Sequence, residues 1–156
     1  MTQEENITAL ALKLKELALA RRVTVGTAES CTGGLIAGAI TAVPGSSEYF
    51  LGGVVSYANA VKTKLLGVPK EILNTVGAVS GECARFMAQG AAKALGADWA
   101  VSVTGVAGPD GGSAEKPVGT VWFGLCGPRG VEAHVRRFAG GRAAVRAQTA
   151  AHALSM

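Results

Sequence analysis

The sequence predicts an α/β fold: a single three-layer domain over residues 1–156, with a mixed β-sheet flanked by helices. Three observations predict it. Early in the chain, segments of helical spacing alternate with short apolar runs of strand length, the pattern of a sheet covered by helices. Late in the chain, two strand-like runs are separated only by Gly127-Pro128-Arg129-Gly130, which reads as a hairpin turn closing that sheet. No linker, repeat or low-complexity stretch divides the chain, and 49% hydrophobic against 17% charged residues suffices for one packed core.

Residues 3–21 carry Ile7, Leu10, Leu14 and Leu17 at helical spacing, with Thr2 and Glu5 placed as a capping box. Residues 23–27 read as a short buried strand, and residues 29–34 as a turn leading into a helix over about residues 32–41. Pro44-Gly45-Ser46-Ser47 ends that helix; a strand follows over about residues 50–57, then a short helix holding Val61, Lys64 and Leu65. Ser80 reads as the N-cap of an alanine-rich helix over residues 82–95, and residues 99–103 as another buried strand. The stretch 104–117 is too rich in Gly and Pro to be regular. Strands are expected over residues 119–126 and 131–138, and a last alanine-rich helix follows Gly140-Gly141.

Composition narrows the function. No run approaches the roughly 20 apolar residues that cross a bilayer, and Met1 to Asn6 holds two acids and no basic n-region, so no signal peptide is expected. Cys31, Cys83 and Cys126 are odd in number and widely spaced, and the only histidines are His134 and His152. No metal site and no cofactor are expected, and the reading is cytoplasmic. From Arg129 onward five arginines face one acid, Glu132. Without stacking aromatics or Lys/Arg runs, that excess favours a small anion over nucleic acid, with a solvated basic face as the plain alternative.

Ser30 stands where a buried strand gives way to a helix. Backbone N–H groups at a helix start are unpaired, so a hydroxyl there would sit beside an oxyanion hole, and Gly33 and Gly34 would let a substrate approach the backbone. Serine is equally a favoured N-cap. Cys31 is a rival nucleophile, since a helix terminus lowers a thiol pKa, but buried cysteine is also a small hydrophobe. A serine needs a base. His134 and His152 support a triad weakly, whereas a buried lysine can serve. Lys62 is such a candidate because it follows Tyr57-Ala58-Asn59 at a strand-to-helix junction, with Tyr57 a donor to the lysine or the leaving group. The loop Thr104-Gly105-Val106-Ala107-Gly108-Pro109-Asp110-Gly111-Gly112-Ser113 ends a strand and can cradle a ligand with its amides, with an ordinary long turn as the plain alternative; it is neither a Walker A loop nor a dinucleotide fingerprint. Arg142 and Arg146 share a helix face at i, i+4, and a bound phosphate would offset the conflict of Arg142 with the helix dipole.

Four stretches in chain order carry a resemblance: Thr27-Ala28-Glu29-Ser30-Cys31-Thr32-Gly33-Gly34, Ser56-Tyr57-Ala58-Asn59 with Lys62, Thr104 through Val121, and Phe138 through Arg142 with Arg146. Together they resemble the C-terminal domain of the CinA family, whose stand-alone form is a nicotinamide-nucleotide amidase. The resemblance implies a metal-free serine amidohydrolase that converts nicotinamide mononucleotide to nicotinate mononucleotide and ammonia. It implies Ser30 as nucleophile with Lys62 and Tyr57 completing the catalytic set. It further implies a substrate site built from Glu29, Cys31, Thr32, Gly33, Gly34, Asn59, Thr104, Gly105, Ala107 and Gly108, with Arg142 on the phosphate. One departure is Gly141, where the family commonly has a polar cap, which should leave Arg142 less firmly placed.

Other readings are a non-catalytic nucleotide-binding or regulatory module, a cysteine amidase using Cys31, and a DNA-linked competence factor, for which the sequence builds no DNA surface. The expected partner is a small nucleotide, with no nucleic acid and no membrane. Leu12 and Leu19 lie off the main stripe of the first helix, so a homodimer or higher homo-oligomer is expected, although packing against another helix would explain them too.

Overall fold

A computed structural model describes residues 1–156. The helices are α1 (Gln3–Arg21), α2 (Leu35–Thr41), α3 (Asn59–Leu66), α4 (Lys70–Thr75), α5 (Gly81–Leu95) and α6 (Arg142–Ser155). The strands are β1 (Val25–Glu29), β2 (Phe50–Val55), β3 (Trp99–Gly105), β4 (Thr120–Gly127) and β5 (Gly130–Arg137). They form one sheet in the order β2-β1-β3-β4-β5. β1 pairs in parallel with β2 and β3, while β3–β4 and β4–β5 are antiparallel. The sheet is therefore mixed, as the sequence predicts, and helices cover both faces.

Helices α1, α2 and α6 cover one face, where Ala18, Ile36, Ile40 and Val145 pack against Val103, Val121 and Phe123. Helices α3, α4 and α5 cover the other, with Leu66, Cys83, Met87 and Ala91 against Ala28 and Ala100. Such a sandwich buries the central strands β1 and β3 on both faces, which is why neither shows apolar/polar alternation, whereas the edge strands β2 and β5 keep one face open.

Several boundaries move. The capping box at Thr2 and Glu5 forms, but the buried positions of α1 are Ala11 and Ala18, with Ile7 and Leu14 half-buried, and Leu17 faces solvent. Small residues at the contact let α1 lie close on α6. Leu12 and Leu19 are exposed as well, so no helix of this chain covers them. β1 runs two residues later than expected and ends at Glu29. β2 stops at Val55, because the next amide, Ser56 N–H, turns to the Glu29 carbonyl at 2.8 Å. α4 went unread: it is six residues long, opens at Pro69 without a side-chain cap, and half-buries only Ile72 and Leu73. α2 starts at Leu35 rather than Thr32, for a reason that lies in the site.

Candidate active site

β1 is the point where the sheet changes direction. From β1 the chain crosses through α2 on one face to β2; from β2 it crosses through α3, α4 and α5 on the other face to β3, on the opposite side of β1. The crossovers leave a crevice beyond the carboxyl ends of the parallel strands, where α/β sheets place their ligands. Ser30 follows β1, Tyr57 follows β2 and Thr104 closes β3, so all three reach that crevice. It is a pocket of about 280 Å³.

Ten of the anticipated residues line it: Ser30, Cys31, Tyr57, Asn59, Lys62, Thr104, Gly105, Ala107, Gly108 and Arg142. Ala78, Val79, Val106, Asp110 and Gly111 line it too. Ala78 and Val79 belong to the segment before α5, which Thr104 Oγ1 holds by donating to Ala78 O at 2.9 Å and Lys116 Nζ by donating to Val76 O at 2.6 Å. No local sequence signal marks those contacts. Asp110 was within the glycine-rich stretch and could have been picked out as its sole carboxylate between Thr104 and Gly112.

Lys62 Nζ lies 3.0 Å from Ser30 Oγ and donates to the Tyr57 carbonyl at 2.9 Å. Lys62 is 1% exposed. Burial pushes its ammonium below the usual 10.5, offset in part by nearby Cys83 and Cys31. α3 makes this placement possible: Lys62 and Leu66 fall on its buried side, and Lys62 reaches past the helix to the end of β1. The Cys31 thiol is pushed the other way, up to about 11, chiefly by burial. A thiol so held carries little thiolate near neutrality. His134 and His152 bond to each other at 2.7 Å between β5 and α6, and neither lines the pocket.

Four anticipated residues do something else. Glu29 is 1% exposed and faces away from the pocket. Its Oε1 accepts from Thr32 Oγ1 at 2.6 Å and Ile36 N–H at 2.9 Å, and its Oε2 accepts from Ala37 N–H at 3.0 Å. A carboxylate thus takes the first free amides of α2, where the dipole also favours negative charge. Those amides are not available to a substrate, and Ser30 is not the N-cap; that position is Gly34, with no side-chain cap. Gly33 and Gly34 have φ of 59° and 109°, the left-handed region that glycine enters without strain, and they shape the turn rather than the pocket wall. Thr32 is fully buried against Glu29.

Arg142 is held despite the bare cap at Gly141. Its Nη1 donates to Gly108 O at 2.7 Å and its Nη2 to the Tyr57 hydroxyl at 3.3 Å, so it joins the glycine-rich loop to the loop after β2. Tyr57, 62% exposed, stands at the pocket mouth. Arg146, one turn later, does not enter the pocket; its Nε donates to Cys31 O at 3.1 Å and its Nη2 to Thr32 O at 3.0 Å.

Fold and site thus define a three-layer α/β protein with a polar pocket at the switch point of its sheet and a buried amine against a hydroxyl inside it. The chain belongs to the CinA C-terminal domain family, which it matches over residues 7–156. It is 54% identical to the nicotinamide-nucleotide amidohydrolase PncC of Pseudomonas putida, over 95% of this chain and 92% of that protein. It is 53% identical to a CinA-like protein of Geobacter sulfurreducens, covering 94% of this chain but 35% of that protein. The chain therefore spans about a third of the longer CinA-like relatives. The crystal structure of the competence/damage inducible protein CihA from Agrobacterium tumefaciens superimposes with a TM-score of 0.94 at 46% identity, over 97% of this chain and 93% of that one. The Escherichia coli CinA superfamily structure gives 0.94 at 34% identity, over 99% and 90%.

Proposed function

We propose that this chain is a serine amidohydrolase that converts nicotinamide mononucleotide to nicotinate mononucleotide and ammonia. The observation that carries the reading is the buried Lys62 amine 3.0 Å from the Ser30 hydroxyl in the switch-point pocket. The name of the Pseudomonas putida relative supplies the substrate.

In the proposed cycle, neutral Lys62 accepts the Ser30 proton as Oγ attacks the carboxamide carbon. Unpartnered backbone N–H groups after Ser30 hold the developing oxyanion. Lys62, now protonated, returns its proton to the amide nitrogen; the C–N bond breaks and ammonia leaves. Water, deprotonated by the same amine, then cleaves the acyl-serine ester and restores Ser30. Arg142 and Tyr57, joined at the mouth, take the phosphate end, while the Thr104–Gly108 stretch and Asn59 form the walls. Burial alone supports the lysine as a base, since a charge-free amine is what a desolvated site favours.

The test is ammonia release from nicotinamide mononucleotide by the purified chain. Ser30→Ala and Lys62→Ala should each reduce kcat by about 10³-fold or more. Full activity in a folded Ser30→Ala protein would overturn the scheme. Ligand-induced stabilisation without ammonia release would place the chain among non-catalytic nucleotide-binding modules. We infer also that Leu12 and Leu19, both exposed on α1, are buried in a homo-oligomer. Sedimentation of the wild type should give a dimer or larger, and Leu12→Glu with Leu19→Glu should give a monomer.

A further inference from the structure

We propose that Arg146 is the positioning residue of the oxyanion hole: it grips the turn after Ser30 from behind and aims the Cys31 amide into the pocket. The inference rests on the serine-hydrolase reading above.

Its two hydrogen bonds go to consecutive carbonyls, Cys31 O and Thr32 O. In a trans peptide the C=O and the N–H of one plane point in opposite directions. Holding Thr32 O therefore turns the Gly33 N–H away from Arg146, and that N–H donates to Ser30 O at 3.1 Å. Holding Ser30 O in turn sends the Cys31 N–H the other way. The N–H groups of Cys31 and Thr32 find no acceptor in any other residue, and Cys31 lines the pocket beside Ser30. The amide after a nucleophilic serine is where an oxyanion donor is needed, and here it has no acceptor in any other residue.

Local structure does not impose this geometry without help. The turn contains Gly33 and Gly34, both at positive φ, so its backbone is permissive. α2 starts beyond it, and the first α2 amides belong to Glu29. Arg146 crosses from α6 to supply what the turn lacks. The planar fork of arginine meets the two adjacent carbonyls through separate nitrogens, Nε and Nη2, in a fixed geometry that the single ammonium of lysine does not reproduce. No carboxylate pairs with Arg146, so its charge also polarises the two peptides it holds.

The role predicts a split in the kinetic constants. Arg146→Ala should lower kcat by about 10²-fold, the scale of one lost oxyanion donor, with KM within a factor of about three. Arg146→Lys should recover part of the rate, and added methylguanidine should partly restore Arg146→Ala but not wild type. Arg146→Gln, shorter but with an N–H donor near the position of Nε, serves if the alanine variant does not fold. Phosphonylation of Ser30 by a fluorophosphonate, which needs the same hole but not the nucleotide, should slow in parallel. If the wild type released no ammonia, that labelling rate would still decide the role of Arg146. A raised KM at unchanged kcat, or unchanged kcat and labelling in a folded Arg146→Ala protein, would overturn it.

Discussion

At the residue scale the decisive group is Lys62. Its ammonium is held below the usual 10.5 by burial, so the unfolded chain binds more protons than the native one over the window from its native pKa up to 10.5. Native stability therefore rises with pH through that window, and at neutral pH the buried amine is a burden on the fold. Lys62→Met, which keeps the apolar stem and removes the charge, should abolish activity yet raise Tm at pH 7. The gap to wild type should shrink as the pH approaches 10, which calorimetry across that range would show; a lower Tm for the methionine variant at pH 7 would oppose the assignment. In the proposed mechanism the same group is the base, so kcat/KM should climb with pH as Lys62 loses its proton, along a single limb ending below 10.5. Ser30 and Lys62 were legible as separate candidates, one at a strand end and one on a helix, but their meeting is not a property of either segment. It needs a crossover of 32 residues to bring α3 back over β1. Glu29 was misread for a related reason: the next residue, Ser30, lines the pocket, whereas the Glu29 side chain turns to the α2 side.

At the scale of elements, two contacts place Ser30 and Lys62. Glu29 ties the end of β1 to the start of α2 with three hydrogen bonds inside the core. Glu29→Ala leaves the Ile36 and Ala37 amides without an acceptor and should cost about 3 kcal/mol, read as a lower urea midpoint at unchanged slope. The second contact is Gly90 on α5, where an added Cβ would come within 2.0 Å of the Leu66 carbonyl at the end of α3. Backbone cannot swing aside as a side chain can, so Gly90→Ala should destabilise by about 2 kcal/mol. Because α3 carries Lys62, it should also lower kcat more than Gly96→Ala, whose site is open but strained by a positive φ. Sequence periodicity finds α5 and α6 well because both bury a defined stripe against the sheet. α1 was placed correctly as a helix but rotated by one position, since alanines at 11 and 18 carry the contact and leucines score higher by hydrophobicity alone. Short α4 has neither length nor cap to announce it.

For the whole molecule, layer order and strand type followed from the alternation of helix and strand, whereas the position of β3 beside β1 depends on two crossovers that run over opposite faces of the sheet. That topology leaves α6 bridging the two ends of the protein. Its first turns hold Arg142 and Arg146 against the site, and its far end holds His152 against His134 of β5. Around the imidazole pair stand Phe123 of β4 and Phe138 after β5, with Arg136 and Glu132 as the charged groups that act on it. Burial holds both imidazoles below the usual 6.5; Arg136 and, for His152, the neighbouring His134 act in the same direction, while Glu132 opposes at His134. One neutral ring must donate and the other accept at 2.7 Å, so two protonated rings cannot share the site. The sign is then fixed. Above 6.5 both states are neutral and the pair contributes no pH dependence; as the pH falls below 6.5 the unfolded chain takes up protons that the native one resists, and stability drops until the native values are reached. Wild-type Tm should therefore fall between pH 7 and pH 5, and a variant carrying His134→Gln with His152→Gln should show a shallower fall over that range. Equal slopes for the two proteins would mean that carboxylates, not this pair, govern the acid limb, and that α6 is anchored at its far end by apolar packing on Phe123 and α1.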